Sequence, residues 1–438
     1  MSINQWGKQE KNQLALVIGF TTILTLSVIL VTYYVNTKPP KPITKPIIGS
    51  EEWCFDRRYK MNPKPEPVPG MTDIAAIFPV DRVTALKKNG EFINWYYHKP
   101  CEKLGKYTPK FKQGELLAIS QGGYHSISLM ADAKVWAWAW GGGGRDFGQL
   151  GHVIYIDRKS NKDEGIVWPL KDIIKIAAGE RHNLALRSDG RVWAWGGNSC
   201  GEVGIMPESS SSLSAFPNII SQLKDVTGIG AGASLSVALK KDGTVWQWGN
   251  NDWYLENTMW SNRHCFLKES SKRYPPLPEQ EEPVAQPMPK QVEGLKDITA
   301  ISLSYRHTLA LRRDGTVWAW GLNDCNQLGV AELPNRAPFA SIPIQVPGLS
   351  NVIAVSAGRR HSMALKKDGT GWEWGHRTLN SENYGGCIKA LEDSKSANQT
   401  RATLREVKLP GKATAIAAGI GNSIALLSDG TVWSWGQK

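Results

Sequence analysis

Four histidines occupy one position of a repeated sequence pattern, at the end of a short turn segment. They are His125, His182, His307 and His361. Imidazoles could bind a metal ion, and the aspartates of recurring Asp-Gly pairs could act as acids or bases. A metal site needs about four ligands near 2 Å from one ion, whereas residues from separate repeats lie too far apart. We therefore interpret these histidines as repeat-consensus turn residues, and the aspartates as turn residues as well.

Motifs of known catalytic or cofactor sites are absent from the sequence. It contains no phosphate-binding Gly-Lys-Ser/Thr loop and no Cys-x-x-Cys pair, and its one Gly-x-Ser-x-Gly match, at residues 197–201, is part of the repeat segment after Trp-Gly rather than a nucleophile elbow. The sequence therefore predicts a protein that is not an enzyme and that has neither a cofactor nor a metal site.

Tryptophan and glycine are unusually frequent: the 438 residues include 19 Trp and 43 Gly. Alignment on Trp-x-Trp-Gly shows that one unit is repeated, most clearly in residues 173–196. Four close copies and two degraded ones complete a set of seven units, at residues 226–249, 298–321, 352–375 and 413–436, and at 117–141 and 74–95.

Each unit predicts four short antiparallel strands. Asp-Gly or Asn-Gly separates two apolar runs, which indicates a hairpin closed by a two-residue turn with positive φ. One apolar strand precedes the hairpin, and a shorter strand such as residues 343–346 follows the preceding unit. In Trp-x-Trp both tryptophans share one face of the strand, so that large side chains meet small ones between sheets.

Seven such units predict an all-β fold, a seven-bladed β-propeller of four-stranded antiparallel blades. The seventh unit ends at Trp435 and Gly436 with no strand after it, while residues 65–69 form a spare strand before the first unit. We therefore expect the N-terminal strand to close the ring.

The repeat resembles that of the regulator of chromosome condensation family. The resemblance rests on Gly-x-x-His-Ser-x-Ala-Leu-x-x-Asp-Gly-x-Val-Trp-x-Trp-Gly, followed by Gln-Leu-Gly at 149–151 and 327–329, and it covers roughly residues 64–438. It implies a seven-bladed propeller. It also implies protein binding. One member of the family binds chromatin and is a guanine-nucleotide exchange factor for a small GTPase, and a bacterial relative inhibits β-lactamases.

Chain direction sorts the connections onto two faces of the predicted disc. The segments after each Trp-Gly share one face with the histidine turns, and they vary in length; one of them is an insertion at residues 250–289. Binding residues usually lie on such loops of a rigid scaffold. The candidate binding residues in this insertion are Trp253, Tyr254, Trp260 and His264, and a solvated loop without function is the competing interpretation.

All six cysteines fall on this variable face and are candidates for disulfide bonds. They are Cys54, Cys101, Cys200, Cys265, Cys325 and Cys387. Neighbouring blades would bring together Cys54 with Cys101, Cys200 with Cys265, and Cys325 with Cys387, although six thiols allow fifteen pairings and the sequence does not select one.

An uncharged run from Leu14 to Val35 has the length of a membrane-spanning helix. Bulky residues follow it where a signal peptidase would need small ones, which favours an uncleaved anchor. The sequence thus predicts a tail (1–13), a transmembrane helix (14–35), a Pro-rich spacer (36–63) and a propeller (64–438). The lysines flanking the helix do not decide orientation, and the cysteines favour a propeller on the non-cytoplasmic side of a single-pass protein.

The formal net charge of +12 is spread along the chain without a long basic run, which argues against nucleic-acid binding. The leading hypothesis is a membrane-tethered module that binds a protein partner of unknown identity through the variable face. The alternative is a guanine-nucleotide exchange factor, whose partner would be a small GTPase.

Overall fold

The computed structural model describes the greater part of the chain between residues 61 and 437. The described residues are 61–79, 83–89, 91–96, 99–100, 115–139, 148–151, 164–207, 213–250, 286–330, 333, 339–375 and 404–437.

Short strands account for nearly all of the regular structure, and we number the blades in chain order. After β1 (Met61–Pro67), blade 1 comprises β2 (Ile74–Pro79), β3 (Val83–Lys87), β4 (Phe92–Tyr96) and β5 (Lys99–Pro100). Blade 2 comprises β6 (Leu116–Gln121), β7 (His125–Met130), β8 (Val135–Ala139) and β9 (Glu164–Ile166). Blade 3 comprises β10 (Ile173–Ala178), β11 (His182–Arg187), β12 (Val192–Gly197) and β13 (Leu213–Ile219). Blade 4 comprises β14 (Val226–Ala231), β15 (Leu235–Lys240), β16 (Val245–Gly249) and β17 (Gln286–Gln291).

The remaining three blades repeat the same order. Blade 5 comprises β18 (Ile298–Leu303), β19 (His307–Arg312), β20 (Val317–Leu322) and β21 (Phe339–Gln345). Blade 6 comprises β22 (Val352–Ala357), β23 (His361–Lys366), β24 (Gly371–Gly375) and β25 (Arg405–Val407). Blade 7 contains β26 (Ala413–Ala418), β27 (Asn422–Leu427) and β28 (Val432–Gln437).

The described strands form seven four-stranded antiparallel sheets, one for each sequence repeat. The first strand of each sheet contacts the first strand of the next sheet, and β26 of blade 7 contacts β2 of blade 1. The first strands therefore line the axis of a closed ring, and the fourth strands lie at its periphery. This arrangement is a β-propeller with four-stranded blades, as the repeat predicted.

The N-terminal strand closes the ring, as predicted. β1 pairs antiparallel with β28 and supplies the fourth strand of blade 7, with Pro67 opposite Trp433 and Asn62 opposite Gly436. The prediction was wrong in extent, because this strand begins four residues before position 65. The fourth strand of blade 5 likewise begins at Phe339, earlier than the predicted 343–346, since a bulge lets the chain continue pairing beyond its proline.

The hydrophobic core lies between blades. Trp195 is fully buried against Ala137 and Leu129 of blade 2, whereas Ala194 faces the opposite way and packs with Trp248 of blade 4. The predicted meeting of large and small side chains is confirmed. Because every blade buries one face against each neighbour, the ring has the character of a single stiff unit.

The predicted transmembrane helix at residues 14–35 lies outside the described residues and stays a prediction. Within the part of the chain that the structure describes, no helix is long and apolar enough to cross a bilayer.

Candidate functional site

The two faces of the ring carry connections of different kinds. His182 pairs with Gly196, and Gly197 N–H donates to Arg181 O at 2.8 Å, so the histidine turns and the segments after Trp-Gly lie at the same end of each blade. We call this end the histidine face. The Asp-Gly turns lie at the opposite end, which we call the Asp-Gly face. The predicted sorting of the loops is confirmed.

Connection lengths differ sharply between the faces. On the Asp-Gly face, four residues always separate the second strand from the third. On the histidine face, the connection from the third strand to the fourth has 2 residues in blade 1, 15 in blade 3, 29 in blade 6 and 36 in blade 4. The connections from one blade to the next, on the Asp-Gly face, have five or six residues except for 15 between β5 and β6. Variation in length is thus concentrated on the histidine face.

The Asp-Gly turns are structural, but their geometry differs from the prediction. Gly190 has a positive φ of 79°, whereas the φ of Asp189 is not positive. Gly190 N–H donates to Arg187 O at 2.9 Å. This is a type I turn followed by a left-handed residue, the three-residue hairpin rather than the two-residue one. Asp189 Oδ1 accepts from Arg191 N–H at 3.1 Å, and the Arg187 side chain holds the pKa of Asp189 at about 2.

The recurring histidines are buried and join successive blades. Each ring donates or accepts one hydrogen bond through Nε2, namely His125 to Asn183 (2.6 Å), His182 to Ser236 (2.9 Å), His307 to Ser362 (2.8 Å) and His361 to Ser423 (3.0 Å). The prediction that these residues serve the repeat rather than a metal site agrees with this geometry, since each ring reaches a different blade.

Hydrogen-bond chemistry assigns the tautomer of three of these rings. Ser236 Oγ–H donates to Glu202 O at 2.8 Å, so that this hydroxyl must accept from His182, whose Nε2 carries the proton. Nδ1 of His125, His182 and His307 is buried without a hydrogen-bond partner. Protonation of Nδ1 would bury an unpaired charge, and desolvation accordingly lowers the pKa of His125 to about 4 and those of His182 and His307 to about 3.

A second interblade contact uses the indole of the second tryptophan of Trp-x-Trp in blades 3 to 7. Trp195 Nε1–H donates to Gln149 O at 3.0 Å, and Asn183 Nδ2–H donates to the same carbonyl at 2.8 Å. Gln149 belongs to the Gly-Gln-Leu-Gly loop of the preceding blade. Trp248 donates to Glu202 O at 2.8 Å, and Trp374 to Gln327 O at 2.9 Å.

In two blades a side chain, rather than this loop, accepts the indole hydrogen bond from the next blade. The sequence analysis did not predict these acceptors. Where blades 4 and 6 carry long insertions, the residue between the two tryptophans is Gln247 or Glu373 instead of alanine. Gln247 Oε1 accepts from Trp320 at 2.9 Å, and Glu373 Oε2 accepts from Trp435 at 2.8 Å. The polar residue inside Trp-x-Trp was the available signal.

The described first-to-second-strand turns form a band around the axis on the histidine face. We call this band the axial collar. It comprises residues 122–124, 179–181, 232–234, 304–306, 358–360 and 419–421, while the corresponding turn of blade 1 lies outside the described residues. Neighbouring turns bond to each other: Glu180 N–H donates to Gly232 O at 3.0 Å and Ala233 N–H donates to Tyr305 O at 2.9 Å. A Cβ at Gly179 would lie 2.5 Å from Gly232 O, so only glycine permits this approach.

The described collar is basic and aromatic. Its charged residues are Arg181, Arg306, Arg359 and Arg360 against Glu180, a net charge of +3. The Arg181 guanidinium lies 5.6 Å from the ring centre of Tyr124 in the preceding blade. Tyr305 has two such neighbours, Arg306 at 5.1 Å and Arg359 at 4.8 Å.

The candidate binding residues Trp253, Tyr254, Trp260 and His264 all lie outside the described residues. Their role therefore stays a prediction. The structure does describe both ends of their insertion, with β16 ending at Gly249 and β17 beginning at Gln286, and it places these ends on the histidine face.

Two of the six cysteines are described, and both are disulfide-bonded. Cys200 and Cys325 occupy equivalent loops of blades 3 and 5, where each is buried and its N–H donates to the side chain two residues later. Cys54, Cys101, Cys265 and Cys387 lie outside the described residues, so the predicted pairing between neighbouring blades stays a prediction.

Comparison with known proteins agrees with the architecture. A family model described as "RCC1-like domain" matches residues 97–438. Protein pim1 of Schizosaccharomyces pombe is 30% identical over 242 residues, which span 52% of this chain and 41% of pim1. Guanine nucleotide exchange factor SRM1 of Saccharomyces cerevisiae is 23% identical over 370 residues, 76% of this chain and 72% of SRM1.

A solved structure shows the same fold. The crystal structure of Prp20p from Saccharomyces cerevisiae matches with a TM-score of 0.55 and 18% identity, covering 82% of this chain and 81% of Prp20p. Since the family model spans more than half of the sequence and the described strands form the corresponding propeller, the chain belongs to the RCC1-like domain family.

Proposed function

We propose that the protein is a membrane-tethered interaction module that binds a protein partner through the histidine face. The observation that carries this proposal is the concentration of variable connections on one face of the ring, where the third-to-fourth-strand connections run from 2 to 36 residues. A scaffold cross-linked by interblade hydrogen bonds holds the strands at the ends of these connections in fixed relative positions, which favours recognition of one partner.

What is known of the relatives supports protein binding. Prp20p is described with binding properties to Gsp1p and histones, and SRM1 is named a guanine nucleotide exchange factor. Both act on other proteins. RCC1-like propellers also host different activities, so the fold by itself supports binding rather than one reaction.

The membrane tether is the uncharged run at residues 14–35, and the propeller lies on the non-cytoplasmic side. The disulfide-bonded Cys200 and Cys325 support this side, because such bonds persist in oxidising compartments. Treating intact cells with a membrane-impermeant protease tests it. Digestion of the propeller in intact cells is expected, whereas protection until the membrane is permeabilised would place it in the cytoplasm.

Affinity capture with a multiple variant tests the binding role. Replacing Trp253, Tyr254 and Trp260 by serine and His264 by alanine preserves the length of the insertion and its cysteine. We expect the partner captured by the wild-type chain to be lost. Ile342→Ser is the matched control, because Ile342 is 67% exposed but lies on an outer strand. Equal capture by all three proteins would contradict the assignment to this loop.

Nucleotide exchange is the second candidate function, and its support is the similarity to SRM1 over most of both chains. The test is release of fluorescent nucleotide from a panel of small GTPases in the presence of the full chain. Accelerated release from one GTPase would favour exchange. Release at the intrinsic rate throughout the panel, together with capture of a partner, would favour the interaction module alone.

A further inference from the structure

The axial collar carries positive charge in a fixed arrangement close to the opening of the ring. Arg306 and Arg359 both lie near the ring of Tyr305, at 5.1 and 4.8 Å from its centre, so their guanidinium groups are within about 10 Å of each other. Arg360 follows directly in the same turn. Two cations from neighbouring blades thus meet at Tyr305, and a third belongs to the same turn as one of them.

Two of these cations make no ion pair or side-chain hydrogen bond with another described residue. Among the residues that the structure describes, no carboxylate or other hydrogen-bond acceptor contacts the side chain of Arg359 or Arg360. The one acidic residue of the described collar, Glu180, lies beside Arg181 in blade 3, with 3.9 Å between Oε1 and Arg181 Nε. Glu180 therefore offsets charge in blade 3, at a different point of the collar from Arg359 and Arg360.

The position of Arg359 over the Tyr305 ring leaves its guanidinium able to bind an anion. A guanidinium that packs with its face on an aromatic ring keeps its N–H donors in its own plane, directed away from the ring. These donors match a carboxylate in bidentate geometry. The collar beneath them is held by backbone bonds such as Arg359 N–H to Gly419 O at 3.1 Å, so little ordering accompanies binding.

We propose that the collar at Tyr305, Arg306, Arg359 and Arg360 binds an extended acidic segment of the protein partner. In an extended chain, residues i and i+2 project to one side about 7 Å apart. Carboxylates at this spacing match two guanidinium groups within about 10 Å of each other. The recognised feature is therefore a Glu-x-Glu or Asp-x-Asp pattern. This inference rests on the proposed binding function and adds the chemistry of the partner.

A peptide-binding titration with the full chain tests the proposal. The probe is a fluorescein-labelled peptide of five Glu-Thr repeats, followed by fluorescence anisotropy, and the neutral peptide of five Gln-Thr repeats is its control. We expect binding of the acidic peptide only. Raising salt from about 50 to about 200 mM is expected to weaken it, because the contacts are ionic.

Charge variants on the two faces distinguish binding of the peptide at the collar from its non-specific attraction to a positively charged protein. Arg359→Gln with Arg360→Gln is expected to weaken peptide binding about tenfold, and Arg359→Lys, which keeps the charge but loses the planar fork, less than that. The matched control is Arg313→Gln with Lys367→Gln, two exposed cations on the Asp-Gly face. Equal weakening by both pairs would overturn the proposal.

Two further outcomes are decisive. Tighter binding of a ten-nucleotide thymidine oligonucleotide than of the acidic peptide, lost in the Arg359→Gln, Arg360→Gln variant, would overturn the acidic segment in favour of nucleic acid. Unchanged capture of the cellular partner by this variant, with capture lost in the insertion variant, would refute the collar while the proposed binding function stands. Thermal melting of each variant verifies that it is folded.

Discussion

Acidification from pH 7 to pH 5 should destabilise the propeller through its buried histidines. In the unfolded chain a histidine has a pKa near 6.5 and takes up a proton in this range, whereas the folded pKa values of His125, His182 and His307 are about 4, 3 and 3. Because the folded pKa is depressed, the stabilisation is complete above the unfolded pKa and is lost as pH falls towards the folded value.

The magnitude follows from the width of the pH window. One pKa unit corresponds to about 1.4 kcal/mol, so each ring that stays neutral in the folded state lowers the free energy of unfolding by about 2 kcal/mol between pH 7 and pH 5. The three rings together lower the free energy of unfolding by about 6 kcal/mol, which is a large part of the stability of an ordinary domain. The Asp-Gly carboxylates act in a separate window below about pH 4, since the pKa of Asp189 is about 2.

Urea unfolding followed by tryptophan fluorescence at the two pH values measures this loss. His307→Gln removes one titrating ring, and we expect the pH-dependent loss to shrink by about 2 kcal/mol. Leu235 is the natural counterpart in blade 4, where Thr308 Oγ1 is buried without a hydrogen-bond partner. Leu235→His should bond this hydroxyl and increase the pH-dependent loss. An identical pH dependence in wild type and His307→Gln would refute the reasoning.

Three other predictions concern stability. Ala133 has φ of 61° where other blades carry glycine, so Ala133→Gly should raise the stability by about 1 kcal/mol in thermal or urea unfolding, and a decrease would contradict the turn assignment. Glu373→Ala leaves the buried Trp435 indole N–H without its acceptor and should lower the free energy of unfolding by about 2 kcal/mol. Glu373→Gln keeps an acceptor and should lower it less. Equal losses of stability in the two variants would argue against the hydrogen bond. Deleting residues 61–67 exposes the edge of β28 and should lower the melting temperature, while deleting residues 39–50 should not; equal melting would exclude closure by β1.

The repeat made the blade predictable, because its signals are local. Alternation of side chains along a strand places Trp193 and Trp195 on one face and Ala194 on the other without reference to any other part of the chain. The missing last strand after Gly436 similarly predicted closure by the N-terminal segment, and both features are present. Strand ends were less predictable, since bulges such as the one at residues 341–343 lengthen the outer strands.

The turn type and the interblade acceptors required neighbours that are distant in sequence. Asp-Gly allows two hairpin geometries, and the observed one brings Gly190 O to Val226 N–H of the next blade at 3.0 Å. Gln247 looked like an ordinary strand residue, because its role depends on Trp320, which lies 73 positions away.

The sequence by itself determined the blade, the order of the blades and the face on which each loop lies, because hydrophobic period, turn residues and chain direction are properties of short segments. Only the tertiary structure decided which side chains meet across blades. Arg359 approaches Tyr305 because ring closure brings separate turns together at the axis, 54 residues apart in sequence. Burial of the histidines, and hence their depressed pKa values, has the same origin: a blade alone would leave them in water.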